Sequence, residues 1–316
     1  MSIIEILSTE KYISGNEISK FLGVSRVAVH KQINEFKKMG YAIGSSSKGY
    51  ILIKNGKLLF NEYEIKTNLR KQLDICKTIK YYEEITSTQT AVKKLAEKGF
   101  GEGIIVVAEK QTKGYGRIKR MWNSNAGGLW FSMLLKPVIS PDESSKLSLL
   151  LSIALKRIFE KEYGIGSEIK WPNDILIFGK KVAGIIIEMS AEQDAINWIV
   201  AGIGININNS LPKNLENISI SLKTVLKKEI DRAEFMAAFL TEFENLYFDF
   251  QKNGFIQFLE EYNNKIAYKG MFVTIDSGYD VITGKNFGID ENGKLILELD
   301  NKLEKIVSGT LRKAEK

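Results

Sequence analysis

The 316-residue chain holds one cysteine, Cys76, and one histidine, His30. A lone cysteine excludes an internal disulfide and a cysteine metal cluster. A lone histidine near the N-terminus excludes a Ser-His-Asp triad or a two-histidine metal site elsewhere in the chain. Long apolar runs are missing too. Stretches such as Ile185–Ile187 fall far short of the ~18 residues of a membrane span, and the opening MSIIEILSTEK lacks the basic-then-apolar pattern of a signal peptide. The expectation is a cytoplasmic protein that makes no use of a membrane. Two phosphate-binding fingerprints are also absent: there is no G-x-x-x-x-G-K-[ST], and no G-x-G-x-x-G opens a helix after a strand. Any catalysis must therefore rest on Lys, Arg, carboxylates, backbone amides and bound metal.

What is present is positive charge, unevenly spread. The net charge is +7, and residues 1–60 carry nine basic side chains against four acidic ones. Within them, Ser14-Gly-Asn-Glu17 has the form of a capping box opening a helix to about Phe21. Gly23 breaks it, Ser25 caps a second helix, and Val29, Ile33 and Phe36 fall on one face before Gly40 ends it. Two helices about a tight turn make a helix-turn-helix. The following YAIGSSSKGYILI reads as strand, flexible tip and strand, a wing. In such a motif the start of the second helix meets base edges, which assigns Ser25, Arg26 and His30 as readers of DNA. Lys31, Lys37 and Lys48 would hold phosphates. The bland counterpart is a small helical packing domain with a solvated basic face.

A linker is expected near 61–66, followed by a larger α/β region with a largely antiparallel or mixed sheet. TIKYYEEI, GIIVVAEKQ, GLWFSMLLKP and NWIVAGIGINI read as strands. SEIKWPNDILIFGKKVAGIIIEMS reads as two more, turned at Phe178-Gly179-Lys180. Ser87-Thr88-Gln89 leads into a helix ending at Gly99, and Ser140-Pro-Asp-Glu143 is a capping box for a helix to about Tyr163. Helices follow from about Asp231 to Lys265. From Met271 the short strands MFVTID, GKNFGID, KLILELD and KLEKIVSGTL predict a small β-barrel, with a hairpin turn at Glu291-Asn292-Gly293.

Between two of these strands lies KGYGRIKRMWNSNAGG, four glycines around Lys113, Arg117, Lys119 and Arg120. Glycines let a backbone approach an anion, and arginines offer forked donors to carboxylate or phosphate. Read alone, the loop is equally a flexible surface hairpin. KWPND at 170–174, GKKVAG at 179–184 and GIGININ at 202–208 each have a structural reading of their own: a turn plug, a solvated hairpin lysine, a sheet-packing requirement.

Together and in this order, S-T-Q at 87–89, AEKQTKGYGRIKRMW, GGLWFS, KWPND, KKVAGIIIE, GIGININ and the terminal GTLRKAEK resemble the biotin protein ligases over essentially the whole chain. The type resembled is the bifunctional ligase and biotin-operon repressor. The resemblance implies an α+β chain: a winged helix-turn-helix at 1–62, a catalytic mixed-sheet domain of the biotin/lipoate ligase type at 66–266, and an SH3-like barrel at 268–316. It implies that ATP with Mg²⁺ activates biotin as biotinyl-5′-AMP, and that a lysine of a biotin carboxyl carrier protein takes the biotin. It further implies a homodimer on operator DNA when the adenylate is bound.

Residue by residue, the resemblance places Ser87, Thr88, Gln89 and Gln111 around biotin, with Tyr115, Gly116 and Arg117 in the loop. Lys181 would sit on the biotin carboxyl, and Arg117, Lys181 and Asp174 would carry the chemistry. Arg120, Trp122, Asn173, Asn206 and Arg312 would line the nucleotide side. No resident metal site of the protein's own is expected. The family loop usually reads G-R-G-R, and Tyr115 stands here for its first arginine; Gln89 replaces the usual asparagine. Three other readings remain open at this point: a ligand-sensing regulator without turnover, a lipoate ligase, and a protein whose basic loop grips nucleic acid.

Overall fold

The computed structural model describes residues 2–54, 56, 58–193 and 195–313, which form two compact units, Met1–Glu64 and Ile65–Lys316. In the first unit, helix α1 (Ile3–Ile6) precedes α2 (Gly15–Leu22) and α3 (Arg26–Lys38). The capping box forms: Ser14 Oγ accepts from the Glu17 amide at 3.2 Å, and the Glu17 carboxylate accepts from the Ser14 amide at 2.9 Å. Gly23 ends α2 at φ 65°, a left-handed conformation that glycine adopts without a Cβ clash. Ser25 caps α3 through the Ala28 amide. Ile18, Val29 and Ile33 are buried with Ile3, Tyr41 and Ile43, and Phe36 packs edge-on to Tyr41. Strands β1 (Ile43–Ser46) and β2 (Gly49–Leu52) pair antiparallel as the wing.

The stretch expected as a linker is instead helical, α4 (Glu62–Asn68). The Asn61 side chain accepts from the Glu64 amide, an N-cap signal that the charged composition obscured.

In the second unit the strands are β3 (Thr78–Ile85), β4 (Ile104–Gln111), β5 (Leu129–Leu135), β6 (Glu168–Lys170), β7 (Asp174–Ile177), β8 (Lys180–Glu192) and β9 (Ala195–Ile205). Among the described residues they form one seven-stranded sheet in the order β3-β4-β5-β9-β8-β7-β6. Only β3 and β4 run parallel, joined by α5 (Thr88–Glu97), so the sheet is mixed as expected. KWPND corrects the two-strand reading: Trp171-Pro172, joined by a cis bond, turns the chain between β6 and β7, making three strands.

Helix α6 (Lys146–Tyr163) buries Leu147, Leu149, Leu150, Leu151, Ala154, Leu155 and Ile158. Each such leucine contributes about 1.5–3 kcal/mol on burial. The capping box expected at Ser140 does not form. Residues Pro141–Ser145 make a 3₁₀ turn, and the Ser140 hydroxyl donates to the Glu143 carboxylate rather than capping an amide. Proline at the first position keeps the turn helical, but α6 itself starts five residues later.

The short helix α7 (Leu222–Leu226) precedes α8 (Arg232–Asn253), capped by Asp231, and α9 (Ile256–Lys265). The terminal strands β10 (Phe272–Asp276), β11 (Val281–Ile289), β12 (Leu295–Leu299), β13 (Lys302–Ile306) and β14 (Thr310–Lys313) form a small antiparallel sheet, order β13-β12-β11-β10-β14. KLEKIVSGTL therefore supplies two strands, not one. The Glu291-Asn292-Gly293 turn forms with Asp290 accepting from the Asn292 and Lys294 amides.

Candidate functional site

A pocket of about 350 Å³ opens beside the sheet, lined from α5, β4, β5, β8, β9, the 112–128 loop and the 309–311 segment. Its floor explains the glycines of GIGININ. Gly184 and Gly204 are register partners on β8 and β9. A Cβ on Gly204 would stand 2.5 Å from Trp122 Nε1, and one on Gly184 would stand 3.0 Å from Trp122 Cζ3. The indole of Trp122 thus lies against bare backbone. Gly202 serves Gln89 in the same way, since a Cβ there would meet Gln89 Oε1 at 2.4 Å. The strand is thinned for two of the protein's own side chains.

One end of the pocket is neutral and hydrogen-bonded. Ser87 caps α5 through the Thr90 amide. Gln111 Oε1 accepts from the Thr88 amide at 2.8 Å and from the Thr88 hydroxyl at 3.1 Å, while its Nε2 donates to Ser124 Oγ at 2.9 Å. Thr88 Oγ1 also meets Ser132 Oγ at 2.8 Å. Gln89 Nε2 donates to the Val200 carbonyl at 3.0 Å, leaving its buried Oε1 without a partner. A buried acceptor without a donor costs about 1–3 kcal/mol.

The other end is cationic. Lys181 Nζ lies 2.6 Å from Asp174 Oδ1 and 4.8 Å from the centre of the Trp122 ring. Arg117 donates to Asn173 Oδ1 at 3.3 Å and to the Gly309 carbonyl at 3.2 Å. Burial pulls its affinity for the proton down, the Asp174 charge opposes that, and Arg120 adds to it. Lys170 is likewise pushed below the usual lysine range, by burial first and then by Lys181, Arg312 and Arg120, against the pull of Asp174. Asp174 is the one acidic side chain among the described residues lining the pocket. Several cations sharing one carboxylate leave the site short of negative charge.

The loop closes over both ends. Its arms bridge at Gln111–Ser124 and Tyr115–Met121, and Gly116 and Trp122 donate backbone hydrogen bonds to Arg120 and Gly114. Of the expected residues, Ser87, Thr88, Gln89, Gln111, Tyr115, Gly116, Arg117, Arg120, Trp122, Asn173, Asp174, Lys181 and Asn206 come together around this pocket. Asn206 is buried and accepts from Asn209. Arg312 is not among the lining residues; it is exposed on β14, next to Leu311, which is. Sequence reasoning gave no site role to Lys170, Ser132 or the Gly309–Leu311 segment, which line the pocket, or to Ser124, which holds Gln111. A lysine opening KWPND and a serine inside the apolar strand GLWFSMLL were visible signals for two of them.

In the first unit a groove runs between α3 and the wing, lined by Arg26, His30, Asn34, Lys37, Ser45 to Gly49 and the start of α2. His30 Nδ1 faces Asn34 Nδ2 at 3.2 Å, and Lys37 donates to Ser45 Oγ at 2.9 Å. Lys48 lies in the groove wall, whereas Lys31 lies outside it, and the Ser25 hydroxyl is engaged as the cap of α3. The arrangement offers exposed basic and polar groups along one edge of the second helix.

Family models match in chain order: an HTH domain at residues 1–51, the biotin/lipoate A/B protein ligase family at 81–206, and the biotin protein ligase C-terminal domain at 273–310. The bifunctional ligase/repressor BirA of Bacillus subtilis is 40% identical over 98% of this chain and 97% of its own length. That of Escherichia coli is 28% identical over 100% and 98%. The structure of the biotin protein ligase from Aquifex aeolicus in complex with biotin and ATP superposes with a TM-score of 0.68 at 32% identity, covering 75% of this chain and 100% of that one. With the helix-turn-helix, the ligase sheet and the terminal β unit matched in one relative along nearly its whole length, the chain belongs to the bifunctional biotin protein ligase/repressor family.

Proposed function

We propose that this chain forms biotinyl-5′-AMP from biotin and ATP, transfers the biotin to a lysine of a biotin carboxyl carrier protein, and represses biotin genes as an adenylate-bound homodimer on operator DNA. The observation that carries the catalytic half is the two-ended pocket. Its neutral end suits a small uncharged ring bearing N–H groups. Its cationic end suits a carboxylate about to meet a phosphate.

In this reading Ser87, Thr88, Gln89 and Gln111 orient the biotin ring. Lys181 and Arg117 draw the biotin carboxylate and the α-phosphate together, and Arg120 and Lys170 add positive charge where the transferring phosphoryl group gathers negative charge. Both nucleophiles, the carboxylate and later the acceptor amine, belong to substrates. The protein supplies position and field, which suits a chain with no histidine or cysteine in the pocket. A magnesium ion arriving on nucleotide phosphates needs few protein ligands, and Asp174 suits that task. When bound, the ion would neutralise phosphate charge. Trp122, Asn173 and Asn206 would border the nucleotide, with Arg312 at the rim. The loop at 113–126 would fold over the adenylate, favouring dimerisation.

For the repressor half, Arg26 and His30 would meet base edges, while Lys48, Lys37 and Lys31 would hold phosphates. We place the domains at 1–62, 66–266 and 268–316 and the protein in the cytoplasm. Among the described residues no helix is long and apolar enough to cross a membrane. The catalytic proposal is tested by mixing the chain with biotin and Mg²⁺-ATP and measuring pyrophosphate. Biotin-dependent release of one equivalent, with adenylate retained on the protein, is expected. Biotin binding without pyrophosphate would leave a sensor that regulates without turnover.

A further inference from the structure

Tyr115 stands where an arginine is expected, yet it is not idle. Its hydroxyl donates to Glu188 Oε2 at 2.9 Å, and Lys119 approaches the same carboxylate at Oε1, 3.5 Å away. The Lys119 ammonium also lies 4.0 Å from the centre of the Tyr115 ring. One carboxylate of β8 thus ties down the entering arm and the tip of the loop. The two ties are unequal. The Lys119 side chain is 73% exposed, so water screens its pair with Glu188. Tyr115 is half-buried, and its phenol is pushed up to about 12 by burial first and then by the Glu188 bond.

The loop needs such ties. At its tip Ile118 has φ 54° and Lys119 φ 52°. A β-branched residue in the left-handed region is a genuine outlier, and a strained turn persists only where its surroundings over-determine it. Ile118 is 72% exposed, so packing does not hold it. A second side-chain tie near the tip runs from Arg117 to Asn173 and Gly309. An anionic ligand would compete for that guanidinium. The Glu188 tie faces no such competitor, because its donors, a phenol and a screened lysine, are not needed by the anion.

We propose that Glu188 is a positioning residue that latches the loop through Tyr115 and Lys119, adding to the stability of its closed form and setting how long the ligand stays. The part concerning residence time rests on the ligase reading; the latch itself does not. Two measurements on the full chain keep these apart. The first is amide hydrogen exchange without ligand. Glu188→Gln and Tyr115→Phe should each speed exchange at Gly116 and Trp122 about tenfold, the scale of losing a hydrogen bond to a charged group. The double variant should do little more than either single one. Unchanged exchange, or effects that simply multiply, would overturn the latch.

The second measurement follows dissociation of preformed adenylate after a chase. Both variants should release it about tenfold faster. Without ligand, Tyr115→Arg should keep exchange at Gly116 and Trp122 slow with Glu188 present but not with Glu188→Gln, because the new guanidinium can pair with that carboxylate. Faster exchange with unchanged release would refute the residence-time part alone. Absence of any adenylate in the unsubstituted chain would count against the ligase reading and leave the exchange result to decide the latch.

Discussion

The molecule has two concentrations of positive charge, and they differ in how far each has left water. In the groove beside the wing, Arg26, His30, Lys37 and Lys48 are exposed. In the pocket, Arg117, Lys170 and Lys181 are half-buried, and burial is the leading reason that Arg117 and Lys170 hold their protons less firmly than usual. The first set is suited to a long, hydrated polyanion whose binding weakens with salt. The second is suited to one small anion held close, where water and salt screen poorly. The same residue types therefore do different work because the backbone around them differs: a helix edge in one unit, a sheet floor under a closed loop in the other.

That contrast breaks most visibly at Lys181. Lys181→Ala should cost about 2–4 kcal/mol of transition-state stabilisation, the scale of one preorganised donor. Pyrophosphate release should fall accordingly at low and moderate salt alike, and a loss that disappears in salt would return Lys181 to the exposed class. Gly204→Ala tests the floor. Its Cβ would press on Trp122, and overpacking of this kind costs about 1–3 kcal/mol. A lowered unfolding midpoint together with weaker biotin binding is expected; a change in neither would mean that Trp122 is not seated as described.

On the groove side, Arg26→Ala should relax preference at one or two base pairs by about 1–3 kcal/mol, read by competition between operator variants. Lys48→Ala should weaken all duplexes nearly equally and reduce the salt slope by about 1. If both substitutions act alike, the division into reader and phosphate anchor is wrong. The smallest effect concerns acid. Burial works to raise the proton affinity of Glu188, but its hydrogen bonds with Tyr115 and Gln89 and the charges of Lys119 and Lys93 prevail and hold it below the usual carboxylate range. Its contribution is therefore present above the ordinary carboxylate value and is lost as pH falls through the lowered one. Loop exchange, corrected for its intrinsic pH dependence, should quicken in that acid range in the native chain and not in Glu188→Gln.

The legible parts of this molecule were those written in local chemistry. Ser14 with Glu17, Gly23 and Ser25 announced the helix-turn-helix because caps and turns depend on neighbours in sequence. The pocket residues were found through motifs, and most of them do converge. What stayed hidden depends on register and tertiary contact. Gly202 and Gly204 were read as a sheet-packing requirement, but only the folded contacts show that the space is filled by Gln89 and Trp122. Ser140-Pro-Asp-Glu143 satisfied the capping pattern while its hydroxyl chose a carboxylate over an amide. The role of Glu188 had no local signal, since its partners lie some seventy residues earlier.

The central claim is that the cationic end of the pocket joins biotin to an acceptor lysine. The most direct test mixes the purified chain with biotin, Mg²⁺-ATP and a biotin carboxyl carrier domain and weighs the acceptor by mass spectrometry. A gain of one biotinyl group that requires ATP and is lost in Lys181→Ala is predicted. An acceptor of unchanged mass, with biotin still bound to the chain, would contradict it.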